Sequence, residues 1–185
     1  MPAKIFHFKS RTAMQAAAVL LDTERSRQMG YYRLLKLLYI ADRKHLEQTG
    51  TPITGGRMVA MDKGPLSSAV YDVARREHPA YPEWAEFFRV EGRNIEMIEH
   101  PGNGELSKRE IRTLLDVAEQ LQDRDDEEIG AVTHAFQEYQ DHHRPGTSTT
   151  IPLADIIDAV GRSEQKAAIL QDAEETAVLD RIFGG

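Results

Sequence analysis

The residues nearest to a chemical constellation in this 185-residue chain cluster around position 140. His134, Glu138 and either Asp141 or His142 recur at helical spacing, with His143 adjacent. Two imidazoles and a carboxylate on one helix face are a donor set that zinc accepts, and a metal-dependent hydrolase built there would activate water on the ion. A plainer reading is preferred. Two histidines beside Arg144 at the end of a helix complement its dipole, and His134, in a Thr-His pair, satisfies a buried polar contact. No metal or other cofactor is assigned. The chain has no G-x-S-x-G elbow, P-loop, G-x-G-x-x-G turn or H-E-x-x-H pair. With no cysteine, a thiolate zinc site, a cysteine nucleophile and a disulfide framework are all excluded. No catalytic residue is assigned, and the chain is read as non-enzymatic.

A second set of residues suits binding better than catalysis. Lys63-Gly64-Pro65 forces a turn, and a fixed turn that exposes Asp62 and Lys63 beside aromatic residues holds a partner at little ordering cost. Tyr31, Tyr32, Tyr39 and Tyr71 fall mostly on core-facing positions, yet a tyrosine at a rim supplies both apolar area and a polar tip. Charge is also unevenly placed. Residues 1–46 hold nine Lys or Arg against three Asp or Glu, a balance of +6, so the net −7 leaves −13 on residues 47–185. Arg11, Arg25, Arg27, Arg33 and Lys36 therefore mark either an ordinary solvated face or a docking surface for an acidic partner or nucleic acid. A DNA-binding regulator would use these basic helices. Nucleic acid is the weaker partner, because an acidic chain repels phosphate over long range.

Composition and patterning place these residues on a mainly α fold with a small β-hairpin, an α+β single-domain helical bundle. Apolar content of 41% with 29% charged residues is that of an ordinary folded protein. No apolar run approaches a membrane span, and the first residues lack a leader-like apolar stretch, so a cytoplasmic location is expected. Ser10 is expected to cap a first helix through Ala13, Ala17, Leu20 and Leu21, closed by the segment 25–30. Leu34, Leu35, Leu38, Ala41 and His45 trace the inner face of a second helix, which Gly50 and Pro52 end. Residues 57–61 read as extended, and Pro65 is placed in the first turn of a helix starting near Ser67. Phe88 and Val90, then Ile95 and Met97, flank Gly92 as a hairpin between 86 and 100. Ser107 and Glu110 form a capping box for the clearest amphipathic helix, and Asp125 or Asp126 caps the next, through Tyr139. Residues 144–150 read as a linker, followed by a thin-striped last helix capped by Ser163.

Four of these segments also carry a resemblance. KLLYIADRKHLEQTGTPITG, RMVAMDKGPLSSAVYD, LSKREI and VTHAFQEY, in this order from Lys36 to Tyr139, resemble the Panacea, or SocA-like, domain of phage-associated and antitoxin proteins. In that family a KLLY-type helix precedes a GP turn, a VY pair, an LS-x-x-E helix start and a TH-x-x-x-x-W motif. Here Met61-Asp62 and Tyr139 depart from the usual aromatic residue and tryptophan. The resemblance implies a helical domain over residues 1–144, with residues 145–185 as a helical extension packed on it. It implies a type II antitoxin that neutralises a cognate protein toxin by direct contact, with a cellular protease or chaperone as second partner if it acts as a proteolytic adaptor. The contact residues then expected are Arg33, Lys36, Asp62, Lys63 and Tyr71. The acidic body would suit a basic toxin.

Overall fold

The computed structural model describes residues 4–183. Its organising element is a long helix that receives most of the others. In chain order, helix α1 (Ser10–Asp22) and a short strand β1 (Gln28–Gly30) lead into α2 (Tyr31–Thr49). Leu34, Leu35, Leu37, Leu38, Ala41 and Leu46 of α2 are buried. Burying each leucine side chain stabilises the fold by about 1.5–3 kcal/mol. Gly50, in the left-handed conformation, ends the helix, as its position predicts.

After α2 come strands β2 (Met58–Met61) and β3 (Gly64–Ser67), then helices α3 (Ser68–Ala74) and α4 (Tyr81–Trp84). Strands β4 (Phe88–Glu91) and β5 (Asn94–Met97) form the expected hairpin. The remaining elements are α5 (Lys108–Leu121), α6 (Asp126–His134), α7 (Gln137–His142), strand β6 (Thr149–Ile151), α8 (Leu153–Ala159) and α9 (Lys166–Phe183). Helix α2 packs on α1, α5, α6, α8 and β3. One apolar cluster fills the space between α1, α2, α5 and the β4–β5 hairpin; a second joins Tyr39 and Leu46 to Tyr139, Ile151, Ile156, Ile157 and Ile169.

The α+β reading holds, with more strand than periodicity disclosed. Each hairpin gains a third strand from a distant segment, giving the orders β1-β5-β4 and β3-β2-β6. Residues 28–30 do not merely close α1: Met29 is buried and pairs with Ile95. Thr149 and Thr150, assigned to a linker by composition, pair with Ala60 and Val59. Three residues are too few to show a period of two.

Several caps differ from expectation as well. Pro65 lies in β3 opposite Ala60, not in a helical turn. The strand is at a sheet edge, where a missing N–H is tolerated, and Ser67 caps α3 by accepting from the Val70 N–H at 3.5 Å. Ser10 does not cap α1, because its Oγ accepts instead from Trp84 Nε1 at 3.1 Å. The helix read from Asp125 to Tyr139 breaks at Ala135–Phe136 into α6 and α7. Ser163 opens a 3-10 turn ahead of α9 and bonds Asp158 Oδ1 at 2.7 Å. The capping boxes Ser107–Glu110 and Asp125–Glu128 are both formed.

Candidate functional site

Strands β2 and β3 are joined by Asp62 and Lys63 alone, so these two residues form the tip of a tight hairpin. Three contacts fasten that tip to α7 and the segment between α7 and β6. Tyr139 Oη donates to the Met61 carbonyl at 3.0 Å. Asp62 meets His143 Nε2 at 3.0 Å and accepts from the Gly146 N–H at 3.0 and 3.2 Å. His143, and then the Gly146 amide, hold the Asp62 carboxyl below the usual carboxylate range. Gly64 lies at φ +117°, and a methyl group on it would stand 2.8 Å from Thr133 Oγ1 and 3.5 Å from the His134 ring. Only glycine permits both that backbone and that approach.

Lys63 extends from the tip over the Tyr32 ring, its ammonium 4.3 Å from the centroid. Tyr32 stacks on Tyr31 at 4.5 Å and lies 6.3 Å from Tyr71, whose ring receives the Arg75 guanidinium at 5.4 Å. Burial, and then the Tyr31 phenol, raises Tyr32 above the ordinary tyrosine range; burial and then Tyr32 do the same to Tyr71. Tyr31, Tyr32 and Tyr71 are half-buried, and Tyr39 alone of the four early tyrosines is core. One helical turn beyond Tyr32 is Lys36, partly buried against Gly130 of α6. Its pKa is lowered, first by burial and further by Lys63, with Asp126 opposing. His134, exposed at the end of α6, stacks on Tyr139 at 4.8 Å, and Tyr139 stacks in turn on His143 at 5.0 Å. Burial, then Lys36, lowers the His134 pKa. His134 is thus a surface ring and not the buried contact that the Thr-His pair suggested.

The structure brings Lys36, Lys63 and Tyr71 onto one face through Tyr32, with Asp62 at its margin turned to His143. Arg33 turns away. Its guanidinium donates to the carbonyls of Leu121 and Arg124 at 3.2 and 2.8 Å and pairs with Asp126 at 3.2 Å, closing the end of α5 against α6. Of the other basic residues selected from the N-terminal region, Arg11 pairs with Glu83 and Arg27 with Asp22. Tyr32, weighed with the other tyrosines but not chosen as a contact, joins the face, and so does Arg75, which was not selected from the sequence. The four-residue step from Tyr32 to Lys36 was a legible signal; Lys63 crossing over Tyr32 was not, because it depends on a contact between distant segments.

The proposed metal set does not assemble. Glu138 is buried and faces inward, accepting from Arg43 Nε at 2.7 Å and Tyr39 Oη at 3.0 Å. His142 meets Asp155 at 2.6 Å and His143 meets Asp62. Among the described residues no group of three His, Cys, Asp or Glu side chains is placed to hold a metal ion. Likewise, none of the described helices is long and apolar enough to cross a membrane.

Residues 34–140 match the family model described as "Antitoxin SocA-like, Panacea domain". The match begins within α2 and ends within α7, so it contains Lys36, Lys63, Tyr71 and His134. No curated protein and no solved structure matches the chain.

Proposed function

Because the chain belongs to the SocA-like antitoxin family, defined by its Panacea domain over more than half its length, we propose that it is the antitoxin of a type II toxin–antitoxin pair. It neutralises a cognate protein toxin by direct contact, and the contact runs over the hairpin tip and the tyrosines beside it. The observation that carries this reading is the family match itself, which contains Lys36, the hairpin tip, Tyr71 and α6, while Tyr31 and Tyr32 lie just before it and His143 and Gly146 just after it. Geometry supports the location. A two-residue tip held by Asp62, Tyr139 and Gly64 is already ordered, so little conformational freedom is lost on binding. Tyrosine and arginine, here Tyr32, Tyr71 and Arg75, are also the residue types that concentrate binding energy at interfaces.

In the adaptor version of the same reading, the bound toxin is handed to a cellular protease or chaperone. The reading is tested by expressing the neighbouring reading frame alone and together with this chain. Growth arrest in the first case, growth in the second and a co-purifying complex are the expected results. A harmless neighbour that does not co-purify overturns it.

A further inference from the structure

Lys36 differs from every comparable cation in the fold. Among the described residues, the partly buried lysines and arginines are Arg33, Lys36, Arg43, Lys44, Arg162 and Lys166. Arg33 and Arg43 are tied to Asp126 and Glu138, Lys44 to Gln120, Arg162 to the Glu47 carbonyl and Lys166 to Asp158. Lys36 alone has neither a hydrogen bond nor an ion pair. No buried side-chain nitrogen or oxygen among the described residues lacks a partner, so the Lys36 ammonium reaches solvent and is free to take an acceptor, and the nearby Lys63 adds a like charge that is also without an ion-pair partner among the described residues. The one carboxylate facing Lys36, Asp126, is engaged by Arg33.

We propose that Lys36 and Lys63, with the Tyr32 and Tyr71 hydroxyls, form the seat for a carboxylate side chain on an acidic segment of the protein partner. This rests on the binding reading above and names the chemistry of the contact. A carboxylate there would accept charge-assisted hydrogen bonds from two ammoniums that now lack them, while the tyrosine rings cover the flanking residues of the segment. The partner is a peptide and not a nucleic acid for reasons of charge. The seat has two uncompensated cations, whereas Asp62, Asp72, Glu77, Asp126, Glu127 and Glu128 lie around or close to it in sequence on a chain of net charge −7. A polyanion would meet that acidic surround along its length; one or two carboxylates need not. A basic toxin is compatible with this seat if one acidic segment provides the contact.

The test is a titration of the full-length, isotope-labelled chain with two blocked pentapeptides, acetyl-Ala-Glu-Tyr-Glu-Ala-amide and its Gln counterpart, followed by NMR. The Glu peptide should shift resonances of Tyr32, Lys36, Lys63, Tyr71 and His134 and lose its effect at high salt. Lys36→Met should weaken it at least about tenfold. Lys63→Gln, at an exposed position outside the core, should weaken it in the same direction. Equal responses to both peptides, shifts confined to other surfaces, an equal response to inorganic phosphate at matched ionic strength, or tighter binding of an oligothymidine each overturns the proposal. The titration needs no toxin. A failed growth rescue with an intact peptide response therefore counts against the antitoxin reading alone, and a successful rescue with no peptide response counts against the seat alone.

Discussion

Asp42 and Arg43 near the end of helix α2 and Lys36 near its start are treated in opposite ways. In the C-terminal half, Asp42 is fully enclosed and accepts from the N–H groups of Ile53 and Thr54, both at 2.8 Å, and from the Thr54 hydroxyl. Next to it Arg43 closes on the buried Glu138 and lies 4.2 Å from the Phe136 ring centroid. Asp42 and Arg43 both have their partners inside the chain. In the N-terminal half Arg33 is engaged by Asp126 but Lys36 has no partner, the adjacent Lys63 of the β2–β3 tip rests only on an aromatic ring, and the surrounding tyrosines are half open. The first half uses charge to fix a loop and to join α7 to the body. The second leaves charge available.

The largest break in this contrast is expected at Glu138. Glu138→Ala leaves Arg43 and the Tyr39 hydroxyl without their acceptor and should lower stability by about 3–5 kcal/mol, read as a fall in the denaturant midpoint. Asp42 gives a pH signature instead. Burial raises its pKa to about 6 against the opposing hydrogen bonds of Thr54 and Ile53. The folded state therefore takes up this proton more readily than the unfolded chain. The resulting contribution is whole below about pH 4 and is lost as pH rises through about 6. Asp42→Asn keeps an acceptor for both amides and removes the titration. Its stability should stay flat where the parent declines, ending up to about 3 kcal/mol ahead at pH 7. Equal pH profiles would show that Asp42 does not titrate in this window.

Smaller effects sharpen the other half. Gly64→Ala forces a side chain into a left-handed backbone and against Thr133, a strain of about 1–3 kcal/mol. It should loosen the hairpin tip and weaken toxin binding together. Arg33→Ala removes two carbonyl contacts and one ion pair at the α5–α6 junction, for a loss near 1 kcal/mol in thermal stability, and should leave toxin affinity unchanged. Lys36→Met, three residues along the same helix, is expected to do the reverse: unchanged stability within about 0.5 kcal/mol and a marked loss of affinity.

Residue spacing carried the helices well because each has enough turns to display its period. The α2 core leucines, the Ser107–Glu110 box and the Phe88–Met97 hairpin were legible in this way. Strands β1, β3 and β6 were not, since three or four residues are held by partners far away in the chain and show little alternation of their own. The site was legible in the same uneven manner. Lys63, Asp62 and Tyr71 could be selected because a Gly-Pro turn exposes its neighbours. Arg33 and Lys36 looked alike in sequence, and only the placement of α5 and α6 shows that one guanidinium meets carbonyls while the other cation does not. Asp42 and Glu138 carry no local signal, as their partners lie 11 and 95 residues away.

The central claim, that this chain acts as an antitoxin through the open half of α2, is tested most directly by growth rescue with a double variant. Lys36→Met/Lys63→Glu and the parent chain are each co-expressed with the neighbouring toxin candidate, after thermal melts show the two fold equally well. Rescue by the parent and arrest with the variant is the predicted result. Full rescue by the variant would contradict the claim.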